Sequence, residues 1–298
     1  ILYILYIVLT VVDFLLLIVG KMPVLEAVCT AFGTAGTGGF GVKNDSMASY
    51  SPYIQNVCTV FMLLFGVNFS CYYLLIMKQV KSVYKDEELR LYVGMVLGSV
   101  LLIVINLRGF YGTLEETIRH AFFQVASIVT TTGFATTDFD LWPGFSKSIL
   151  LCLMVVGACA GSTGGGFKCG RLLLVFKSLR RNIQKMLRPQ RIQAVRSNKQ
   201  VVSEKVLENT NAYLAAYVLI IMFSLLVTSI DGFSVGTNFS AVLACFNNIG
   251  PGLELVGPTC NFSIYSPLAK IVLIFDMLAG RLEIFPILIL LSRDTWRR

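Results

Sequence analysis

Charged residues are scarce in this chain, and histidine is nearly absent. Charged side chains make up 14% of the 298 residues, and there is a single histidine. The eight cysteines lie among apolar residues without metal-ligand spacing, which indicates small core residues rather than a metal site. The sequence contains no catalytic triad, covalent-cofactor motif or nucleotide-binding fingerprint. It therefore does not predict an enzyme, and no covalent cofactor is expected.

Hydrophobic residues, in contrast, make up 55% of the chain, and its mean hydropathy is +0.73. So much apolar surface indicates that a bilayer, rather than water, is the solvent. Six runs approach the roughly 20 residues that a spanning helix needs, at about 1–20, 53–77, 91–107, 145–176, 212–230 and 267–291. Three shorter runs can reach only about half-way across, at about 22–33, 113–129 and 237–246.

Each of the three short runs ends in a polar segment that contains glycine. These segments are Thr34–Phe40, Thr130–Phe134 and Asn247–Gly252. Non-helical backbone at membrane depth persists only where protein or a watery path covers its polar groups. The pattern of span, half-helix, polar turn and span therefore predicts an all-α polytopic membrane protein built from repeated membrane-pore-membrane units. We place the three units at 1–85, 86–205 and 206–298.

Basic residues are concentrated in two segments. Between Lys177 and Lys205 nine basic residues face one acid, Glu204, and the C-terminus carries Arg293, Arg297 and Arg298. The positive-inside rule makes both segments cytoplasmic, so the C-terminus is expected in the cytoplasm and the three polar turns are expected to open outward. The basic surface is expected to face solvent, lipid or a protein partner rather than nucleic acid.

The composition of the polar turns suits a cation. Glycine adopts positive φ without a steric penalty, which lets carbonyl oxygens turn towards one axis and replace the water shell of an ion. The neighbouring threonines add hydroxyl oxygens, and each half-helix directs its partially negative C-terminal end towards the same axis. No acid lies within the turns. Asp138, Asp140 and Glu254 lie a few residues further along and would attract cations to the mouth.

Five segments of the chain resemble those of one transporter family. They are AFGTAGTGGFG, FQVASIVTTTGFATTDFDLWP, GACAGSTGGGFK, FNNIGPGLELVGPT and GRLEIFPILIL. They are similar to segments of the Trk/Ktr/HKT superfamily of potassium transporters, and most of all to its Trk membrane subunits. The resemblance covers essentially the whole chain. It implies four repeats around one potassium path, of which this chain would hold the second, third and fourth, with the first expected to lie outside this sequence.

The family match implies filter roles for nine residues. Gly133 and Gly250 match the filter glycines of their turns, whereas either Gly38 or Gly39 could be the equivalent in the first turn; alignment on the glycine-aromatic pair favours Gly39. The implied filter consists of Thr37, Gly38, Gly39, Thr131, Thr132, Gly133, Asn248, Ile249 and Gly250. Within it, K⁺ would be held at Thr37, Gly38, Thr131, Thr132, Asn248 and Ile249. Because asparagines replace hydroxyl residues in the third turn, we expect an asymmetric and less selective filter.

A further glycine-rich segment, Val156–Arg171, interrupts the fourth hydrophobic run. Its glycines oppose a stable helix at about 1 kcal/mol each. It is not a phosphate-binding loop, because Phe167 separates the last glycine from Lys168 and no Ser or Thr follows the lysine. The resemblance implies instead an intramembrane loop that obstructs the pore and moves during gating. The implied gating residues are Gly164, Gly165, Gly166, Lys168 and Arg281.

Three charged residues near this loop leave alternatives open. Lys168 either faces the permeating ion and repels it or extends to the cytoplasmic interface. Arg281 and Glu283 are two residues apart on a helix and do not face each other, so each needs its own partner in the membrane. The family match points Arg281 into the pore, while Glu283 would brace a neighbouring segment. The alternative is a buried inter-helix bridge without a transport role.

The leading hypothesis is the pore-forming subunit of a potassium uptake system in a prokaryotic inner (plasma) membrane. Two alternatives remain: a sodium-permeable or ion-coupled transporter of the same superfamily, and a non-conducting membrane scaffold or sensor. The resemblance also implies a homodimer and a TrkA-like cytosolic nucleotide-binding regulatory subunit. The basic segment Lys177–Lys205 is a candidate docking surface for that subunit. Membrane lipid is the other expected partner.

Overall fold

The computed structural model describes residues 2–188, 193–198 and 200–296. These residues form helices almost throughout, with one short β-hairpin made of β1 (Arg196–Ser197) and β2 (Gln200–Val201). The α-helices are α1 (Leu2–Val19), α2 (Val24–Ala35), α3 (Pro52–Phe65), α4 (Phe69–Ile76), α5 (Val80–Tyr84), α6 (Glu87–Asn106), α7 (Leu114–Val129), α8 (Gly144–Val155), α9 (Cys169–Leu187), α10 (Glu204–Thr228), α11 (Val235–Phe246), α12 (Pro267–Arg281), α13 (Ile284–Leu291) and α14 (Arg293–Trp296). Four basic residues of the predicted cytoplasmic segments lie outside the described residues: Arg191, Lys199, Arg297 and Arg298.

Among the described residues, three helices are long and apolar enough to cross a membrane: α1, α6 and α10 with the 3-10 turn that continues it to Asp231. The prediction of an unbroken span over 53–77 is wrong, because α3 and α4 meet at a bend of 88°. Gly66 lies at this bend, where the Tyr92 hydroxyl and the Thr130 methyl group occupy the space that a Cβ would need. Asn68 then begins α4 by accepting a hydrogen bond from the Ser70 N–H at 2.9 Å.

Two other predicted spans are interrupted. The run 145–176 consists of α8 and α9 with the non-helical segment 156–168 between them, where the glycine-rich sequence predicts a break. The run 267–291 was expected to be one span, and this is wrong, because it divides into α12 and α13 at Leu282–Glu283. Glu283 has a φ of 72°, which no helix accommodates. Pro286 lies beyond the break, in the first turn of α13, where its missing N–H would have no helical partner.

The short helices, not the long ones, form the centre of the molecule. Helix α11 buries nine of its 12 residues and α7 ten of its 16. In the membrane-length windows of α1 and α6, only 17% of the residues are buried. An apolar helix that is largely exposed within its own fold presents that surface to lipid. The half-helices predicted at 22–33, 113–129 and 237–246 thus correspond to α2, α7 and α11, and the long helices surround them.

The cysteines are not all core residues. Five of them are buried and Cys29 is partly buried, but Cys152 and Cys260 are exposed. All eight are free thiols. The interpretation as small core residues is therefore wrong for Cys152, which lies on the outer side of α8, and for Cys260, which lies in a loop.

Candidate functional site

The three polar turns have the same backbone conformation. Each begins with the residue that caps its half-helix, namely Gly36, Thr130 or Asn247. The next residue has positive φ: 50° at Thr37, 57° at Thr131 and 56° at Asn248. Two residues later φ is positive again: 63° at Gly39, 91° at Gly133 and 108° at Gly250.

Hydrogen bonds establish the same register in all three turns. In each, the N–H between the two positive-φ residues donates to a helix carbonyl five residues earlier. The pairs are Gly38 to Gly33 at 2.7 Å, Thr132 to Ser127 at 2.9 Å and Ile249 to Ala244 at 2.8 Å. Gly39, and not Gly38, therefore has the position and conformation of Gly133 and Gly250.

The turns lie side by side in chain order. A Cβ added to Gly39 would be 1.9 Å from the Thr132 carbonyl oxygen, and one added to Gly133 would be 2.0 Å from the Ile249 carbonyl oxygen. Only glycine combines positive φ with so close an approach of backbone to backbone. At Gly250, in contrast, an added Cβ would have no other described atom within 4 Å.

A cavity of about 780 Å³ lies on this open side, between the first turn and the third. Its lining includes Thr37 and Phe40 from the first turn, Ile249 and Gly250 from the third, and Met277 from α12. The three turns thus surround a centre on three sides, and the fourth side opens into the cavity.

The residues with positive φ next to the helix caps are strained. Thr37 and Thr131 are β-branched, and such side chains rarely adopt the left-handed region. Each is held by its side chain: the Thr37 hydroxyl donates to the Thr163 carbonyl at 3.1 Å, and the Thr131 hydroxyl accepts from the Gly165 N–H at 2.6 Å. Asn248 donates from its side-chain amide to the Met277 carbonyl at 3.1 Å. The surroundings therefore impose these conformations.

The glycine-rich segment 156–168 packs directly against the turns. A Cβ at Gly164 would lie 3.0 Å from the Thr130 carbonyl oxygen, and one at Gly165 would lie 2.9 Å from the Asn247 carbonyl oxygen. At Gly166, which has a φ of 70°, a Cβ would lie 2.8 Å from the Asn247 side-chain oxygen. Gly164, Gly165 and Gly166 thus bring the loop backbone to van der Waals contact with the second and third turns.

The loop satisfies its backbone groups without forming a helix. The Gly157 N–H donates to the Phe167 carbonyl at 2.8 Å, and the Cys169 N–H donates to the Ala158 carbonyl at 3.1 Å. Lys168 folds back on the same loop, and its ammonium group donates to the Gly164 carbonyl. The ammonium group is therefore bound within the loop in this conformation.

Arg281 and Glu283 have separate partners, as their spacing predicts. The Arg281 guanidinium donates to the Gly36 carbonyl at 3.0 Å and to the Thr37 hydroxyl at 3.3 Å, so it contacts the first turn. Glu283 forms an ion pair with Arg171 of α9, whose guanidinium also lies 4.0 Å from the centre of the Tyr213 ring. The break between α12 and α13 is thus bonded on one side to the first turn and on the other to α9.

The acids outside the turns differ in their surroundings. Asp140 pairs with Lys147 at 3.5 Å, and Asp138 accepts from the Thr259 hydroxyl at 3.3 Å. Glu254 accepts hydrogen bonds from the hydroxyls of Ser234 and Thr237 at the start of α11. These hydroxyls stabilise the carboxylate, and the pKa of Glu254 is lowered as a result.

Sequence reasoning missed several residues that hold the turns. Ser127 donates to the Phe134 carbonyl at 2.6 Å and accepts from the Gly133 N–H at 3.1 Å, so it closes the second turn. Thr163, which contacts Thr37, lies within the recognised glycine-rich segment, but its partner is 126 residues away. A serine within an apolar half-helix, six residues before the glycine, is the only signal in the sequence that pointed to Ser127.

Comparison with known proteins identifies the family of this chain. A family model described as "TrkH: Cation transport protein" matches residues 1–109 and 111–296. The chain belongs to the TrkH family. It is 36% identical over 303 residues to the Trk system potassium uptake protein TrkH of Salmonella typhimurium, with 99% of this chain and 62% of that protein covered. It is 32% identical to the Trk system potassium uptake protein TrkG of Escherichia coli, with 93% and 57% covered.

A solved structure of this family has the same fold. The crystal structure of the potassium transporter TrkH from Vibrio parahaemolyticus matches with a TM-score of 0.91 at 32% identity, covering 99% of this chain and 64% of that one. The prediction of an all-α polytopic membrane protein is confirmed, and the chain is an integral membrane protein. It spans 62% of the length of the TrkH relative from Salmonella.

Proposed function

We propose that this chain forms most of the potassium-conducting pore of a potassium uptake system. The observation that carries the proposal is the shared conformation of three adjacent turns, with positive φ at Thr37, Thr131 and Asn248 and again at the glycine two residues later. Such a backbone presents carbonyl oxygens that can replace the water around K⁺. The half-helices end at the same centre, and their partially negative ends favour a cation there.

A filter of this kind needs a fourth side. The cavity beside Gly250 and the first turn is lined mainly by apolar side chains, which suits a further half-helix and turn. We propose that a fourth segment outside this sequence occupies it. The three units 1–85, 86–205 and 206–298 would then be the second, third and fourth of four membrane-pore-membrane repeats.

The glycine-rich loop is the proposed gate. Gly164, Gly165 and Gly166 lie against the second and third turns, in a position to obstruct an ion that leaves the filter. Lys168 and Arg281 add positive charge on the same side of the turns. A displacement of the loop would open the path and free the Lys168 ammonium group from the Gly164 carbonyl.

The proposed partners follow from family membership and from charge. The relatives are named as proteins of a Trk system, which supports an assembly of more than one component. We propose a homodimer in a prokaryotic plasma membrane, surrounded by lipid, with its C-terminus in the cytoplasm. A TrkA-like cytosolic nucleotide-binding subunit would dock on the basic residues of α9 and the hairpin that follows it.

The test is ion flux through the full-length protein in liposomes. We expect the protein to take up Rb⁺ and added K⁺ to inhibit that uptake by competition. Gly133→Ala should abolish or deregulate uptake, because its Cβ would collide with the Ile249 carbonyl. Gly98→Ala should leave uptake unchanged, because no described atom beyond the neighbouring backbone of its own helix lies within 4 Å of that Cβ. No flux from the unaltered protein would favour a non-conducting scaffold or sensor.

The second candidate is a sodium-permeable or ion-coupled transporter. It is favoured by the third turn, where Asn248 stands in place of Thr37 and Thr131 and offers an amide instead of a hydroxyl oxygen. Equal competition by Na⁺ and K⁺ against Rb⁺ uptake would identify this function. Strong competition by K⁺ alone would exclude a sodium-permeable transporter.

A further inference from the structure

Glu88 is a charged residue that the proposed conduction path does not use. It lies in the first turn of α6, directly after Asp86 and Glu87 in the chain. Asp86 caps the helix by accepting from the Leu89 N–H at 2.8 Å. Three successive acids in one turn repel each other, so each is expected to need a partner of its own.

The two neighbours of Glu88 bind the polar hairpin β1–β2 and α9. Asp86 accepts from the Asn198 side-chain amide at 2.7 Å. Glu87 accepts from the Asn198 N–H at 3.1 Å and pairs with Lys177 of α9. The partners of both acids therefore lie in the hairpin and in α9.

Glu88 instead binds the glycine-rich loop. Its carboxylate accepts a hydrogen bond from the Ala160 N–H at 2.6 Å, within the segment 156–168. The same carboxylate lies against Gly170, where an added Cβ would be 3.0 Å from the nearer oxygen. Gly170 is in the first turn of α9, just after the segment ends. One side chain therefore contacts both the loop and the start of the helix that follows it.

The electrostatics of this contact are favourable. Helix α9 begins after Lys168, and the side chain of this N-cap residue makes no capping hydrogen bond to the first N–H groups of the helix. The N-terminal end of a helix carries partial positive charge and unpaired N–H groups, so a carboxylate is stabilised there. Glu88 supplies that carboxylate from α6, and it does so 72 residues away in sequence from Ala160.

We propose that Glu88 is a positioning residue that holds the glycine-rich loop against the three turns. The proposal rests on the proposed function of that loop as the gate. The loop has three consecutive glycines, whose backbone is conformationally free, so a carboxylate that ties Ala160 to the start of α9 limits its movement. Removal of the carboxylate leaves the Ala160 N–H without its partner and loosens the segment between Ala160 and Gly170.

The first experiment measures amide hydrogen–deuterium exchange in the purified full-length protein. Glu88→Ala should speed exchange in peptides covering 157–171 about tenfold, because protection reports the local opening equilibrium. Glu87→Ala is the matched control, with the same charge change in the same turn, and it should leave these peptides unchanged. Equal exchange in Glu88→Ala and the unaltered protein, or equal acceleration by both variants, would overturn the proposal.

Two milder variants keep the test decisive if Glu88→Ala does not fold. Glu88→Gln retains an acceptor oxygen at the same reach and should restore most of the protection. Glu88→Asp retains the charge but withdraws it by one methylene group, so it should lose protection. The opposite order, with Asp protected and Gln not, would contradict a role that depends on reach.

The second experiment measures Rb⁺ flux in liposomes. Glu88→Ala should raise basal flux about tenfold while the preference for K⁺ over Na⁺ is retained, because the filter turns are untouched. If the unaltered protein conducts Rb⁺ and Glu88→Ala conducts it at the same rate, the positioning role is refuted and the proposed function is not. An absence of flux in the unaltered protein would refute the proposed function, and hydrogen exchange would still decide whether Glu88 holds the loop.

Discussion

Tyr217 and Asn247 exchange hydrogen bonds across the interface between α10 and α11. The Asn247 side-chain amide donates to the Tyr217 hydroxyl at 2.9 Å, and that hydroxyl faces the Asn247 side-chain oxygen at 3.2 Å. Asn247 caps the third half-helix and also borders Gly166 of the glycine-rich loop. A lipid-facing helix is thus linked to the turn at the centre through one tyrosine.

Tyr217→Phe should therefore destabilise the third turn. The change leaves two buried polar atoms of Asn247 with fewer partners, which costs about 1–3 kcal/mol. We expect a lower unfolding temperature in detergent. Tyr84→Phe is the control, since Tyr84 is 79% exposed and its loss of a hydroxyl should have little effect. Equal unfolding temperatures for the two variants would show that the Tyr217 contact contributes nothing.

Thr131→Val should loosen the loop without changing the volume of the side chain much. The Gly165 N–H loses its acceptor at 2.6 Å and stays buried, at a cost of about 1–3 kcal/mol. Faster amide exchange over the glycine-rich segment is the expected result. Thr10→Val provides the comparison, because among the described residues the Thr10 hydroxyl bonds only to the Tyr6 carbonyl of its own helix. If both variants exchange alike, Thr131 does not hold the loop.

Arg281→Ala should increase ion flux through the full-length protein. It removes a positive charge beside the first turn, together with the bonds to the Gly36 carbonyl and the Thr37 hydroxyl. Arg281→Lys keeps the charge but not the two-pronged contact, so it separates the two effects. Rb⁺ uptake by both variants is the measurement. Unchanged uptake and gating in Arg281→Ala would exclude a role for Arg281 in the pore.

Stability at acid pH should depend on Glu254. Its pKa is lowered in the folded protein by hydrogen bonds from Ser234 and Thr237. A group with a lowered folded pKa contributes stability that is fully present above its unfolded pKa, near 4.3, and that is lost as pH falls through the lower folded value. The unfolding temperature should therefore decrease when the pH is lowered below about 4. The decrease should be smaller in Glu254→Gln. If the unfolding temperatures of the unaltered protein and of Glu254→Gln change with pH in the same way, this expectation is contradicted.

The features that the sequence predicts are the ones that depend on local pattern. The length of an apolar run distinguishes a half-helix from a span, and the alternation of Thr or Asn with Gly marks the turns. The 88° bend at Gly66 was not predictable in this way, since the apolar run continues through it and the cause is the packing of Tyr92 and Thr130. The break at Leu282–Glu283 was likewise not predictable, because the hydropathy of the run does not show which distant residues bind Arg281 and Glu283.

Contacts between residues that lie far apart in the sequence were not predictable from it either. Nothing in the acidic triplet Asp86, Glu87 and Glu88 distinguishes the residue that binds the glycine-rich segment from the two that bind the hairpin. Only the folded positions of Ala160 and Asn198 separate them. The equivalence of Gly39 with Gly133 could be favoured by alignment, and the hydrogen-bond register then gives its physical basis.

The central position of the short helices has a consequence for how this protein is made. Helices α2 and α11 have 12 residues each, which reach about 18 Å and cannot enter a bilayer as independent spans. The flanking long helices must already be in place to shelter them. We therefore expect assembly to proceed from the lipid-facing surface inward, with the three turns acquiring their strained backbone last. A substitution that slows insertion of α1, α6 or α10 would then reduce the number of correctly assembled molecules while leaving every residue of the three turns intact.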